Sequence, residues 1–257
     1  MRLISILITL FATVALSSCL TIEEKLTMNR DGSGVYTTSV DMSKMFNNPM
    51  MVAAMEKEIE KGDEAVMRKD SVIDFYGLLE PVNPQWTEED KALLKKVEGR
   101  FLMDIEKKEG GMFVTYPFEN TDQLMYIMDL FMNANRPEGE DSEDPLDGFA
   151  GGNLSTMTNV FTWSAGKFSR QSSYNKDAFA SLAGEEEGIV DMMKMMFSDA
   201  KVVYLMEFPG KVKKVKGFTG HEIVDNNTVR LEFDFLDFLE DASPIDAALD
   251  GNVKYKK

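Results

Sequence analysis

Apolar and polar residues alternate from the first residues after a largely apolar leader. Leu20, Ile22, Leu26 and Met28 share one phase, and Thr21, Glu23, Lys25 and Thr27 the other. Period two is the signature of a half-buried strand. Asn29-Arg30-Asp31-Gly32-Ser33-Gly34 is turn chemistry, and Val35 to Met42 returns as a second strand, so a hairpin is predicted. A helix is expected over about 44–61, with Met45, Phe46, Met51, Val52, Met55 and Ile59 on a broad apolar side. The apolar run 71–79 suits either a strand or a short helix. Thr87-Glu88-Glu89-Asp90 has the form of a capping box opening a helix through about 97. Strands near 99–107 and 111–118 follow, joined through Gly110-Gly111. Thr121 to Ala134 then reads as an amphipathic helix with Leu124, Met125, Ile127, Met128, Phe131 and Met132 inward.

Residues 136–153 interrupt this patterning. They hold Glu138, Glu140, Asp141, Glu143, Asp144 and Asp147 with almost no apolar residues, and read as a solvated loop. Beyond it come a hairpin (158–164 and 167–174, turning at Ala165-Gly166) and a helix over 185–197. A β meander is expected over 200–208, 211–216, 220–225 and 228–236, with Asn226-Asn227 as a turn. A short helix near 244–249 and a basic tail end the chain. Helices and strands do not alternate as βαβ units and several strands are hairpin neighbours. The expectation is therefore an α+β fold with mostly antiparallel sheet and packed amphipathic helices. The body is one domain or two lobes divided near 136–153.

The leader changes where this body is expected to be. Arg2 is its only charge, and Leu3 to Leu16 are almost wholly apolar, too short a stretch to span a bilayer. Leu16-Ser17-Ser18-Cys19 matches a bacterial lipobox. The chain's one Cys stands where that motif requires it. The expectation is a signal peptide over 1–18, cleavage before Cys19, and acyl chains on Cys19 that hold a folded body close to the membrane. No Asp follows Cys19, which in the enterobacterial sorting rule points to the outer membrane. Glu23 and Glu24 lie near the place where some Bacteroidota lipoproteins carry an acidic export signal.

Composition narrows the chemistry. The 257 residues carry a formal charge of −16, and the mature chain, with 27 basic against 44 acidic residues, a formal −17. Nucleic acid is disfavoured as a partner, because its binding depends on a basic surface. One Cys allows no internal disulfide, and one His no His-based metal cage. No cofactor is expected.

The segments CLTIEEKLTMNRDGSGVYTTSVDMS and AKVVYLMEFPGKVKKVKGFTGHEIVDNNTVRLEFDF resemble the two ends of LppM-like lipoproteins and, in general style, small envelope lipoproteins of Bacteroidota. The shared features are a strand leaving the lipidated Cys, the Asp31-Gly32-Ser33-Gly34 turn, Phe208-Pro209-Gly210, and Asp225-Asn226-Asn227 before a final strand. About a third of the chain is covered, and residues 44–157 are not matched. The resemblance implies an anchored envelope protein without known catalysis, one that holds amphipathic or lipid-like ligands. It supplies no active-site residue.

Among candidate sites, Thr27 and Thr38 stand where a calcium loop over 27–38 needs Asp and Glu, so a hairpin turn is the better reading there. The acidic residues of 136–153 could gather a cation but lack regular spacing. His221 has no Ser-His-Asp arrangement around it and reads as a surface or turn-facing residue. Lys211, Lys213, Lys214 and Lys216 form one basic cluster, read either as a contact for anionic headgroups or an acidic partner, or as lysines guarding an edge strand. In the 185–197 helix Met192 and Met195 fall outside the stripe that one core face needs. With Met196 they make a candidate surface for a lipid-like ligand or partner. Asp70-Ser71-Val72 fits a short O-glycosylation sequon at Ser71. The function expected is non-catalytic: binding of an amphipathic ligand or envelope partner, with a structural role in an envelope assembly and, last, a hydrolase as alternatives.

Overall fold

The computed structural model describes residues 20–47, 68–134, 157–174, 199–240 and 243–256. Leu20 is already buried, and β1 (Thr21–Met28) begins one residue later. It returns as β2 (Gly34–Asp41) with unbroken antiparallel register from Thr21↔Asp41 to Met28↔Gly34. The turn between them is tied by the Asp31 carboxylate, which accepts from the Ser33 amide (3.0 Å) and hydroxyl (2.7 Å). Those bonds hold Asp31 below the usual carboxylate range. The segment 27–38 is thus a hairpin, as its residue types require.

Ser43–Asn47 forms a 3-10 turn. The rest of the helix expected over 44–61 lies outside the described residues. The ambiguous run 71–79 is both alternatives in succession. β3 (Arg68–Ile73) ends at Asp74, whose side chain caps α1 (Phe75–Leu79) by accepting from the Gly77 amide at 2.9 Å. The capping box is present: Thr87 and Asp90 exchange side-chain and backbone bonds at the start of α2 (Glu88–Leu94). β4 (Glu98–Asp104) and β5 (Glu109–Phe118) follow. Their turn is Ile105–Lys108, with Lys108 at φ 56°, and not Gly110-Gly111. Both glycines lie inside β5 because neighbours come too close for a side chain. A Cβ at Gly110 would sit 2.7 Å from the Phe46 ring.

α3 (Thr121–Met132) buries Leu124 and Ile127 completely and packs on β5, α2 and β6. The hairpin of β6 (Met157–Ser164) and β7 (Lys167–Tyr174) turns at Ala165-Gly166, as expected. Then come β8 (Lys201–Glu207), β9 (Val212–Lys216), β10 (Glu222–Val224) and β11 (Thr228–Asp234). Two short helices, α4 (Phe235–Glu240) and α5 (Ser243–Leu249), lead to β12 (Gly251–Tyr255).

These strands build two sheets. The larger has the order β10-β11-β8-β1-β2-β5-β4-β3, and the smaller β6-β7-β12-β9. All pairings are antiparallel except β1 with β8. The architecture is α+β with mostly antiparallel sheet.

The expected single meander is corrected: β9 leaves its sequence neighbours and joins the smaller sheet. Gly210 permits this, since any Cβ there would lie 1.9 Å from the Lys256 carbonyl oxygen. The basic tail is corrected as well. Residues 251–255 are the strand β12 between β7 and β9, with Val253 and Tyr255 buried.

The main core includes Leu26, Val40, Phe168, Val229, Leu231 and Val253, drawn from both sheets. A second cluster joins Phe75, Leu93, Val97, Val114 and Ile127 under the helices, and a third holds Leu79, Trp86 and Leu94.

Candidate functional site

Strand alternation places two charged residues where apolar ones are expected. In β1 the core-facing phase runs Ile22, Glu24, Leu26, and in β7 it runs Phe168, Arg170, Ser172. Packing the sheets together brings the two into one buried polar cluster. Arg170 is 3% exposed, and its Nη2 lies 3.8 Å from Glu24 Oε2, whose side chain is 22% exposed. Tyr36 on β2 donates its hydroxyl proton to Glu24. Arg170 Nε donates to Asn159 Oδ1 at 2.9 Å, and Ser172 Oγ donates to the same oxygen at 3.1 Å. The guanidinium carbon lies 4.5 Å from the Tyr204 ring centre and 5.7 Å from that of Phe161. Arg170 Nη2 is buried without a hydrogen-bond partner among the described residues.

The cluster's electrostatics limit its chemistry. Burial first, then the Glu24 charge, pushes the Tyr36 phenol well up from its ordinary value, and Arg170 only partly offsets this. The same causes push Tyr204 up. Both phenols therefore stay protonated at neutral pH. The group holds opposite charges across the two sheets.

The residues singled out in the sequence are dispersed. Cys19 and the helix bearing Met192, Met195 and Met196 lie outside the described residues, as do the acidic residues of 136–153. Ser71 lies half-buried on the edge strand β3, in the same phase as Ile73. The preceding Asp70 is held by Arg100 through two bonds of 2.9 Å. His221 is exposed, with Nδ1 2.8 Å from the Phe218 carbonyl oxygen. Lys213, Lys214 and Lys216 are exposed on β9, the edge of the smaller sheet, and Lys211 is exposed one residue before it. The structure enlarges that cluster, because β12 sets Lys254 directly opposite both Lys214 and Lys167. No group of three or more His, Cys, Asp or Glu able to hold a metal occurs among the described residues.

No sequence motif marks the Glu24–Arg170 cluster. Its signal was there in each strand separately, as a charged residue on the apolar phase. Which two such residues meet depends on how the sheets pack.

The fold and cluster define an α+β protein of two mostly antiparallel sheets joined through a buried ion pair. No family model and no curated protein matches the chain. Among solved structures it is similar to the folded domain of Mycobacterium tuberculosis LppM, determined by NMR. The identity is 8% and the TM-score 0.37, over 93% of this chain and 91% of that one.

Proposed function

We propose that this chain is a lipid-anchored protein of the bacterial envelope, attached through acyl chains on Cys19. It binds an envelope partner or an amphipathic ligand and does not catalyse a reaction. The observation that carries this reading is the apolar leader ending in Leu16-Ser17-Ser18-Cys19, whose Cys is the single one in the chain. The body it delivers starts at once: Leu20 is buried and Thr21 opens a strand with a neighbour on each side. Acyl chains at Cys19 would therefore hold the fold against the membrane with no intervening tether. No helix among the described residues is long and apolar enough to cross a membrane.

Two features support binding over catalysis. Tyr36 and Tyr204, the phenols nearest the buried charges, are held protonated. Ring stacks, Phe161 on Phe168 and Trp163 on Tyr255 on Phe208, occupy space between the sheets, which favours an outer surface as the place of contact.

The test is Cys19→Ala expressed in a bacterial host. The wild-type chain is expected in the membrane fraction, with its N-terminal peptide heavier by the mass of the acyl chains. The variant is expected unprocessed and without that mass. Equal processing and fractionation of the two would overturn the proposal.

A further inference from the structure

One face of the smaller sheet carries charge of the wrong sign for this protein. Directly opposite residues in an antiparallel sheet project to the same side, so Ser164, Lys167, Lys254 and Lys214 form one row across all four strands. The next row holds Ser169, Asn252 and Lys216. No Asp or Glu occupies any described position of this face, although the chain has 44 acidic residues against 28 basic. None of these lysines has an ion-pair partner among the described residues.

Protection of a sheet edge explains lysines on β9. It does not explain Lys254 on β12 or Lys167 on β7, which are interior strands. Like charges directly opposite one another destabilise a sheet, and here three stand in line about 4.8 Å apart from strand to strand. A row that costs stability, and that edge protection does not require, calls for a binding role.

We propose that this face is the docking surface for an acidic segment of another envelope protein. The strand-to-strand spacing of the row is close to the 5–6 Å between Cβ atoms of residues three or four apart on a helix, so acidic side chains at that spacing match it. Its place in the molecule argues against the anchoring membrane as occupant, a point that rests on the Cys19 reading. A Cβ on Gly32 would lie 2.7 Å from Trp163, so the β6–β7 turn sits beside the β1–β2 turn, at the far end of β1 from Leu20. Eight residue steps at about 3.3 Å put the lysine row roughly 26 Å from the anchored end.

The test uses the full chain in neutral detergent micelles. The probes are fluorescent deca-glutamate and vesicles containing phosphatidylglycerol. Deca-glutamate is expected to bind at low salt and weaken as ionic strength rises. Joint replacement of Lys167→Gln, Lys214→Gln and Lys254→Gln is expected to weaken it at least about tenfold. The same replacements are expected to raise Tm by roughly 1–3 °C through relieved repulsion, which shows that the variant folds. Cys19→Ala is expected to bind deca-glutamate like the wild type, which separates this proposal from the lipid anchor. Equal affinity of wild type and triple variant would overturn it. So would loss of binding in Cys19→Ala, lysine-dependent binding to the vesicles in preference to deca-glutamate, or a self-associated chain that the triple variant dissociates.

Discussion

Arg170 and Glu24 should behave as one energetic unit, and a double-mutant cycle reads this directly. Arg170 is 3% exposed and Glu24 22% exposed, so the pair is far drier than Arg100–Asp70, whose side chains are 55% and 51% exposed. Breaking a buried pair from one side typically costs about 3–5 kcal/mol, because the remaining charge stays uncompensated. In Arg170→Met, Glu24 keeps the Tyr36 hydrogen bond and some access to water, which favours the lower end. The loss of the Tyr204 and Phe161 ring contacts and of the Asn159 bond adds to the cost. The expected destabilisation is about 3 kcal/mol, or roughly 6–12 °C in Tm for a chain of this length. Removing both charges in Glu24→Gln with Arg170→Met should restore at least about 1.5 kcal/mol relative to the sum of the single variants. Urea unfolding followed by circular dichroism measures all four corners, and Arg100→Ala, expected to cost under about 1 kcal/mol, is the exposed reference. Additivity within about 0.5 kcal/mol, or an Arg170→Met cost no larger than that of Arg100→Ala, would refute the argument.

Two further outcomes follow from burial. Deleting residues 251–257 removes β12 with buried Val253 and Tyr255, a loss of roughly 5 kcal/mol before the unpaired backbone groups of β7 and β9 are considered. That approaches the whole stability of a typical domain, so the truncated chain should lack a cooperative thermal transition; a Tm within 2 °C of wild type, on the order of 1 kcal/mol or less, would be inconsistent with β12 as an interior strand. Tyr36 and Tyr204 set the alkaline limit. Their folded-state pKa values lie above the unfolded value of about 10, so below pH 10 both states hold the proton and the contribution is fully present. Above it the unfolded chain releases protons that the folded one retains, and stability should fall by up to about 2.7 kcal/mol per pH unit. Tyrosinate absorbance near 295 nm should show these two phenols ionising only with unfolding; complete titration of all seven tyrosines near pH 10 in the folded protein would contradict this.

Local physics made much of the fold legible. The β1–β2 and β6–β7 hairpins, the Thr87 cap and the inward Leu124–Ile127 stripe of α3 lie close to where period and turn chemistry put them. These elements are specified by residues within a few positions of one another. Errors came where a distant contact decided the outcome. Gly110-Gly111 resembles a turn, yet the ring of Phe46 and the backbone of Val40 need that space inside a strand. Residues 251–255 resemble a tail because KYKK is basic, and only β7 and β9 on either side make them a buried strand.

By itself, the sequence determined the apolar leader with its terminal Cys19, the acid excess, the α+β class and the strand phases that carry Glu24 and Arg170 on apolar faces. All of these depend on composition or on neighbours along the chain. Tertiary structure alone decided that Glu24 meets Arg170 across two sheets, that β9 leaves the meander, and that Lys167, Lys254 and Lys214 stand in one row. Residues 24 and 170, like 167 and 254, meet through pairing and packing over long stretches of chain. No local propensity encodes such meetings; the shared burial of two sheet faces does.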